Sequence, residues 1–414
     1  MRVHTSFDQR ELLLGLALDP EDGLLGVGQV GMSVELVTDR ALIRTPSPVE
    51  PHPDLVALAV LSTVRPWCDQ RLTLDFGVSP TFASGVYRLF GVEMTRVDEE
   101  LRPRAPGGRL GLLYSGGPDC MAAAVLVDEK MPLLHLKRIR HPRVPNRATH
   151  LRVDVHEALV RQAGERGEEL HIVETDLEYL CKPYPTFPSW SAITVGVILQ
   201  ADELDLGGVV TGRNLNEFYT NWGRGFSPDM TGHEAVRVLF SMVGLDLVDP
   251  IAGGSDVANM RIAPDFPHFD LARSCQLGTP EGPCFRCGKC LSKNLVTAAL
   301  HGRRLPDGLL AGVAGNAVLV EHFTSPPPYD TQPVLGYTLA RVPGLDGSFL
   351  HETKEHLRPT REATAWVGRY YRPAIAAHVP ERWQRVVAAA IEERVGFMTP
   401  DEEAILETWD GSSP

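Results

Sequence analysis

The sequence predicts an α/β protein whose central part is a Rossmann-like parallel sheet with helices on both faces. Between residues 106 and 212, short apolar runs alternate with helical segments, and such repeated βα units imply parallel strands covered by helices. Glycine-rich turns follow two of these apolar runs. A composition of 43% hydrophobic and 22% charged residues is typical of a globular chain that buries a core.

Three segments are expected along the 414 residues. Residues 1–105 mix alternating runs such as SVELVTD and RLTLDFGV with turn residues, which predicts a small α+β domain. LRPRAPGG marks a boundary, and residues 106–300 carry the βα units. Residues 301–414 are expected to form a mostly helical extension, with a strand-like, proline-rich section VLVEHFTSPPPYDTQPVLGY and a helix in PERWQRVVAAAIEERVG.

Within the central segment, apolar periodicity predicts four strands and three helices in alternation. In chain order they are strand RLGLLYS, a helix from Asp119 to about Glu129, strand PLLHLKRI, a helix from Thr149 to about Gly164, strand LHIVETD, helix SAITVGVILQADEL and strand GGVVTG.

The net charge of -13 argues against non-specific nucleic-acid binding, which needs a positive field. A basic stretch keeps a nucleic-acid partner open as an alternative; it comprises Lys137, Arg138, Arg140, Arg143 and Arg147. No signal peptide or membrane helix is evident, so we expect a cytoplasmic protein without a membrane partner. A small-molecule substrate is the expected partner, and a homodimer stays open.

A candidate phosphate loop, Ser115-Gly116-Gly117-Pro118-Asp119-Cys120, lies between the apolar strand LGLLY and the apolar helix MAAAVLV. Doubly wound folds bind anions at such a position. Two glycines bring backbone N–H groups close to a phosphate, a serine adds a hydroxyl, and the helix directs its positive end inward. The loop is neither a Walker loop nor G-x-G-x-x-G. The alternative is a turn that serves only the fold.

Two further strand ends carry candidate side chains. The strand GGVVTG ends in Gly212, Arg213 and Asn214, where ligands collect in parallel sheets. The segment ETDLEYLCKPYPTFPSW, residues 174–190, is the candidate substrate loop. Its Lys182 can stabilise a leaving phosphate and its Cys181 can carry sulfur, whereas the alternatives are a solvent-facing charge and a buried thiol.

Four of the seven cysteines form a candidate metal site, spaced C-x8-C-x2-C-x2-C at Cys275, Cys284, Cys287 and Cys290. Four thiolates at this spacing suit tetrahedral zinc in a closed, structural site. Cysteines two residues apart are also typical of iron–sulfur proteins. Zinc is favoured because the cysteine run lacks further cysteines at the spacing of iron–sulfur ligands.

The motifs resemble those of a known superfamily. The loop at 115–120 resembles the S-G-G-x-D-S loop of the PP-loop ATP pyrophosphatases, with Cys120 in place of the last serine, and Gly212-x-Asn214 resembles their G-x-N strand end. Followed by S-C-x8-C-x2-C-G-x-C, this order resembles the 7-cyano-7-deazaguanine synthase-like family over about residues 110–300. The resemblance implies a PP-loop (HUP-type) fold that uses ATP, Mg²⁺ and Zn²⁺.

The activity implied by this resemblance is adenylation of a carboxylate or amide oxygen, followed by attack of ammonia, an amine or sulfur. Nucleotide binding falls to Ser115, Gly116, Gly117, Pro118, Asp119, Cys120, Gly212 and Asn214. Catalysis falls to Asp119, Arg213 and Lys182. A sulfur transferase, a tRNA-modifying enzyme and a non-catalytic nucleotide-binding protein are the alternatives.

Overall fold

The computed structural model describes residues 1–28, 32–139, 141, 153–183, 186–228, 232–272, 275 and 277–411. The chain folds into two compact units, each built from several chain segments. The first unit contains residues 1–115, 130–210 and 231–247, and the second contains residues 116–129, 211–230 and 248–414.

The strands belong to the first unit, except for the last residue of β13. They are β1 (Arg2–Asp8), β2 (Glu11–Ala17), β3 (Leu25–Val27), β4 (Ser33–Leu36), β5 (Arg40–Arg44), β6 (Arg71–Leu74), β7 (Glu93–Met94), β8 (Arg109–Leu113), β9 (Leu133–Arg138), β10 (Leu170–Thr175), β11 (Cys181–Lys182), β12 (Leu206–Val210) and β13 (Asp246–Val248).

Helices occur in both units. They are α1 (Pro53–Val64), α2 (Pro80–Phe90), α3 (Pro118–Val127), α4 (Val153–Glu165), α5 (Val195–Leu199), α6 (Leu215–Phe218), α7 (His233–Met242), α8 (Asp256–Ile262), α9 (Gly288–His301), α10 (Leu309–Ala314), α11 (Ala317–Thr324), α12 (Gln332–Leu339), α13 (Phe349–Leu357), α14 (Pro373–His378), α15 (Glu381–Arg394) and α16 (Pro400–Glu407). Of these, α1, α2, α4, α5 and α7 belong to the first unit.

One large mixed sheet organises the first unit, in the order β13-β12-β8-β9-β10-β5-β2-β1-β6-β7. The strands β12, β8, β9 and β10 are parallel, which confirms the parallel arrangement predicted for the βα units. At β10 the direction changes, because Glu174 and Thr175 pair antiparallel with Arg44 and Ile43 of β5. The N-terminal strands and the central strands therefore share one sheet, and the fold is mixed α/β.

A continuous apolar core supports this sheet. Its members come from both the N-terminal and the central part of the chain, for example Leu12, Ile43, Leu58, Val173 and Leu199. Helix α1 is buried nearly all round, as expected for a helix without a polar face, and it packs against α5. A domain boundary at residue 106 stays a prediction. In the first unit, residues before and after this position pack in the same apolar core.

Arg104 shows how closely the connecting segment is bound to the first unit. Its side chain is 5% exposed and its guanidinium donates to the carbonyl oxygens of Val243, Gly244, Ala201 and Leu206. It also pairs with Asp202 at 2.5 Å. A buried guanidinium is costly unless its N–H groups are satisfied, and here five acceptors surround it.

The second unit is a helical assembly. Helix α3 packs against α8 and α15, while α9 packs against α8, α10 and α12. The Trp383 indole on α15 donates to Glu129 just after α3, at 3.1 Å. Helices from α10 to α16 fill residues 309–407, so the mostly helical character predicted after residue 300 is confirmed.

Most predicted central elements are present, and two sequence predictions are wrong. SAITVGVILQADEL forms a 3₁₀ helix at Ser191–Thr194 and the short α5, and then a turn rather than a continuous helix. The strand-like section VLVEHFTSPPPYDTQPVLGY forms α11 and α12 instead. Asn316 caps α11 by accepting from the Leu319 amide, and Leu319 and Phe323, one helical turn apart, both pack on the apolar core of the second unit.

Among the described residues, no helix has both the length and the apolar character needed to cross a membrane.

Candidate functional site

The predicted phosphate loop lies between β8 and α3, as expected from the sequence. Gly116 has a φ of 74°, which glycine adopts without strain. Gly117 is the N-cap of α3 and has no side chain with which to cap the helix. A helix start with these features suits an anion. Ser115 is exposed and is the last residue of its segment in the first unit.

Cys120, the residue that departs from the serine pattern, is buried on the first turn of α3. Its thiol is 2% exposed and donates to the Gly117 carbonyl oxygen at 3.0 Å. The hydrogen bond closes the turn Gly117–Cys120 from within. This contact gives Cys120 a structural role in shaping the loop.

Gly212 lies directly against this loop. A Cβ atom built on Gly212 would lie 2.9 Å from the Cys120 nitrogen and 3.1 Å from its Cα atom. These distances are shorter than carbon contacts tolerate, so any side chain here would displace the loop backbone. The predicted phosphate loop and the predicted G-x-N segment therefore meet in the second unit.

Lys293, which the sequence analysis missed, is the cation beside Asp119. Its ammonium lies 3.5 Å from Asp119 Oδ2 and 3.2 Å from Asp256 Oδ1. Asn259 donates to Asp119 Oδ1 at 3.0 Å. Asp119 on α3, Asp256 and Asn259 on α8, and Lys293 on α9 thus form one polar cluster from three helices, which we call the Lys293 cluster.

The Lys293 ammonium is held in its charged form. Burial lowers the pKa of Lys293, but the carboxylates of Asp119 and Asp256 outweigh this effect, and the pKa is raised above its ordinary value. The side chain is 19% exposed, so the charge faces a partly desolvated environment in which electrostatic interactions are stronger than in water. The cluster therefore keeps an ammonium group, paired with two carboxylates, next to the start of α3.

Asn216 links the Lys293 cluster to the G-x-N segment. Its amide donates to Asp256 Oδ2 at 3.4 Å and its oxygen accepts from the Thr220 hydroxyl at 3.1 Å. Asn214 caps α6, and its side-chain oxygen accepts from the Asn216 amide N–H at 3.1 Å. The predicted residue Asn214 thus shapes the segment, and its neighbour Asn216 contacts the cluster.

Arg213 contacts Glu217. Its Nε atom lies 2.9 Å from Glu217 Oε2, and its guanidinium stacks over the Phe218 ring with 4.2 Å to the centroid. Burial raises the pKa of Glu217, Arg213 lowers it, and the negative charges of Asp249 and Asp119 raise it further, so the net shift is upward. The guanidinium is therefore positioned by Glu217 and Phe218, with an acidic neighbourhood beyond them.

Lys182 belongs to the first unit and is exposed on β11, where it is paired with Glu35 of β4. Asp119 and Arg213 belong to the second unit. The structure therefore brings Asp119, Gly212 and Asn214 into one unit with the Lys293 cluster and leaves Lys182 outside that unit. Its proposed contact with a leaving phosphate stays a prediction.

Other side chains of the 174–190 loop, including that of the candidate Cys181, are buried in the first unit. Asp176 accepts from the Leu42 amide at 2.8 Å, and Glu178 lies 2.9 Å from Arg138. The Cys181 thiol is fully buried, and burial raises its pKa to about 12. A thiol held protonated is a poor sulfur carrier, which weakens the case for a sulfur role.

The basic stretch is largely neutralised where the structure describes it. Lys137 lies 3.1 Å from both Glu157 and Glu174, and Arg138 pairs with Glu178. Arg140, Arg143 and Arg147 lie outside the described residues. The described part offers paired charges instead of an open basic surface.

The four predicted cysteines converge in the second unit. Their sulfur atoms all lie within 4.8 Å of one another, with 3.8 Å between Cys275 and Cys287 and 3.8 Å between Cys284 and Cys290. Four sulfurs at about 2.3 Å from a tetrahedral zinc would be about 3.8 Å apart. The cluster therefore can hold a metal such as zinc.

Backbone N–H groups donate hydrogen bonds to the sulfur atoms of Cys275 and Cys284, and such bonds stabilise the thiolate form. Cys275 accepts from the Cys284 amide at 3.3 Å, and Cys284 accepts from the Arg286 amide at 3.4 Å. Burial raises the pKa of Cys284, but the Arg286 N–H and the neighbouring thiols outweigh it and lower the pKa to about 7. Such a turn is suited to thiolate ligands.

The cysteine cluster also begins α9. Cys287 is the N-cap of this helix and accepts from the Cys290 amide at 3.4 Å. Lys293 follows Cys290 by three residues, so both lie on one side of the helix within its first two turns. A metal held by the cysteines would therefore fix the start of the helix that presents Lys293 to Asp119.

Comparisons with known proteins give one partial match. Residues 235–410 match the model of DUF6395, a family of unknown function. This span includes Asp256, Asn259, the cysteine cluster and Lys293, but not the loop at 115–120. No curated protein and no solved structure matches the chain.

Proposed function

We propose that this protein is a PP-loop-type enzyme that transfers the adenylyl group of ATP to an oxygen of a small-molecule substrate and releases pyrophosphate. The observation that carries the proposal is the Lys293 ammonium, held by Asp119 and Asp256 beside a helix start that follows two glycines. A fixed cation and the positive end of a helix both stabilise negative charge on phosphate groups.

The residues present suit a nucleotide with a divalent cation. Gly116 and Gly117 carry no side chain of their own, and a Cβ atom at Gly212 would lie against the backbone of Asp119 and Cys120. Carboxylates are the ligands that Mg²⁺ prefers, and those of Asp119 and Asp256 would hold it; the ion would neutralise charge on the phosphates. The buried Oδ1 atom of Asn259 accepts no hydrogen bond from the described residues, which leaves an acceptor beside Asp119.

In this mechanism a substrate oxygen attacks the α-phosphorus, the bond to the bridging oxygen breaks, and the electron pair leaves with pyrophosphate. Lys293 stabilises the charge that develops on the leaving group, because its ammonium stays protonated at neutral pH. Asn259 orients the Asp119 carboxylate through its amide. Ammonia, an amine or sulfur then displaces AMP from the adenylated substrate.

The cysteine cluster supplies structure in this proposal, with zinc as the bound metal. Cys275, Cys284, Cys287 and Cys290 would supply all four ligands of such a metal and leave it no open position for water, so its role would be structural. Its contribution is the placement of α9 and therefore of Lys293.

The experiment is to measure pyrophosphate release from ATP with a panel of carboxylated heterocycles, amino acids and tRNA. We expect release to require one acceptor and to fall by about 100-fold or more in Lys293→Met and Asp119→Asn, as for loss of a charged group at a developing anion. Lys289→Met on the same helix, whose side chain is exposed, is the matched control. ATP binding without release from any acceptor would instead favour a nucleotide-sensing protein.

A further inference from the structure

A cavity in the second unit shares no lining residue with the Lys293 cluster. Its volume is about 580 Å³, and its walls include Arg261, Tyr337, Arg341, Gly368, Arg369 and Arg394. Small-molecule sites commonly measure about 300–1,000 Å³. Four arginines and two glutamates, Glu392 and Glu393, line it, so the lining has an excess of positive charge.

Two of these arginines already have carboxylate partners. Arg369 lies 3.2 Å from Glu402, and Arg394 lies 2.9 Å from Asp265 and 3.1 Å from Glu393. The charges of Arg369 and Arg394 are therefore neutralised by carboxylates. The excess positive charge of the lining must come from the other two arginines.

Arg261 and Arg341 differ, because neither lies within ion-pair distance of a carboxylate among the described residues. Arg261 donates to the Gly368 carbonyl oxygen at 3.1 Å. Arg341 donates to the Tyr337 carbonyl oxygen at 3.1 Å, to the Thr364 hydroxyl at 2.8 Å and to the Arg361 carbonyl oxygen at 2.8 Å. A guanidinium has five N–H donors, so both retain donors for a ligand.

The Arg341 guanidinium is fixed in place before any ligand binds. It stacks on the Tyr337 ring, 3.7 Å from the centroid, and its three hydrogen bonds hold the plane. Burial lowers the pKa of Arg341, and the nearby Glu362 carboxylate opposes this only in part, so the positive charge is partly desolvated. A preorganised guanidinium loses little side-chain entropy when it binds an anion.

Gly368 leaves open the space between Tyr337 and Arg261. A Cβ atom built there would lie 3.5 Å from Tyr337 Cε2 and 3.9 Å from Arg261 Nη1. These are ordinary contacts, and the backbone of Gly368 is outside the left-handed region, so alanine would fit without strain. It would, however, occupy the floor of the cavity.

We propose that this cavity binds a small oxyanion with at least two negative charges, gripped by Arg261 and Arg341. Phosphate esters and dicarboxylates share this chemistry, and guanidinium groups bind both through paired N–H···O contacts. The cavity and the proposed ATP site share no residue, although Arg261 lies on α8 together with Asp256 and Asn259.

Titration calorimetry tests the proposal with inorganic phosphate and, separately, with succinate, at constant ionic strength. We expect at least one of them to bind, and the ion that binds identifies the source. Arg261→Gln and Arg341→Gln should each weaken binding by about 10-fold or more, since a charge-assisted hydrogen bond contributes about 1.5–3 kcal/mol. The exposed Arg385→Gln on α15 should leave binding unchanged.

Two further variants separate this site from folding effects and from the ATP site. Gly368→Ala should weaken binding while keeping the melting temperature, even where an arginine variant fails to fold. Lys293→Met should keep binding intact. The proposal is overturned by no binding of either ion, by equal binding to wild type and the arginine variants, or by loss of binding in Lys293→Met.

Discussion

Lys293 illustrates why single residues of this site escape sequence analysis. It lies 174 positions after Asp119, and its partner Asp256 lies on a third helix. In the sequence, Lys293 and Asp256 look like ordinary helix charges, because spacing alone does not tell which helices pack together. A pointer was present, since Lys293 follows the last metal-type cysteine by three residues and must share its side of the helix.

Gly212 gives a residue-scale prediction about the loop. Gly212→Ala would place a methyl group 2.9 Å from the Cys120 nitrogen, so the loop backbone must move. We expect a loss of about 1–3 kcal/mol in the free energy of unfolding and weaker ATP binding. Urea unfolding and nucleotide titration measure the two effects.

Gly164→Ala is the matched control for that variant. Gly164 lies inside α4, and a Cβ atom there would meet no atom within 4 Å. Alanine should stabilise this helix by about 0.5–1 kcal/mol and leave ATP binding unchanged. Equal losses at Gly212 and Gly164 would contradict the close approach of Gly212 to the loop.

Glu178 gives a residue-scale prediction about pH. Burial raises its pKa above the ordinary value, Arg138 only partly opposes this, and its Oε2 atom has no hydrogen-bond partner among the described residues. The folded protein therefore binds more protons than the unfolded chain above about pH 4.3, and stability contributed by this group falls as the pH rises.

Glu178→Gln should remove that dependence. Denaturant unfolding between pH 4 and pH 7 should show the variant gaining stability relative to wild type as the pH rises. Glu165→Gln, at an exposed position on α4, should show no such gain. If the difference in stability between Glu178→Gln and wild type is the same at every pH in this range, burial does not raise the pKa of Glu178.

At the scale of elements, the cysteine cluster and α9 act together. Cys287 caps the helix and Cys290 lies in its first turn, so the metal ligands and the helix start are the same residues. The spacing of the cysteines predicted their convergence, which the close sulfur atoms confirm. The consequence for Lys293 could not be predicted, because it depends on the packing of α9 against α8.

Cys290→Ser tests this coupling. Elemental analysis should find about one zinc per wild-type chain and much less in the variant, because a hydroxyl is a weak zinc ligand. We expect the free energy of unfolding to fall by about 3 kcal/mol or more and pyrophosphate release to be lost with the metal. Cys68→Ser, a buried thiol of the first unit, should keep its zinc. A zinc-free variant with full activity would contradict the claim that the metal positions α9 and Lys293.

Sequence patterns predicted the elements unevenly. The loop between β8 and α3 was predicted because glycines and an acidic residue separate two apolar runs. The section at 318–337 was misread, since apolar residues and three successive prolines resemble an edge strand. The segment is helical instead, because Asn316 caps α11 and because Leu319 and Phe323 pack on the apolar core of the second unit. The local composition of a segment does not show which residues will pack on a core formed by other parts of the chain.

At the scale of the whole molecule, the sequence predicted the α/β class but not how its segments combine. Each compact unit joins segments that are far apart in the chain. The N-terminal strands extend the parallel strands through β5, and Arg104 binds the connecting segment to the carbonyl groups around β12. Backbone pairings and buried hydrogen bonds of such long range leave no signal in a single sequence.

The central claim is that this chain breaks ATP between the α- and β-phosphates with the help of Lys293. The most direct measurement is chromatography of the nucleotide products formed with the acceptor that stimulates turnover, for wild type, Lys293→Met and Lys289→Met. We expect AMP and pyrophosphate in equal amounts from wild type and Lys289→Met, and almost none from Lys293→Met. ADP and phosphate as products, or undiminished AMP from Lys293→Met, would contradict it.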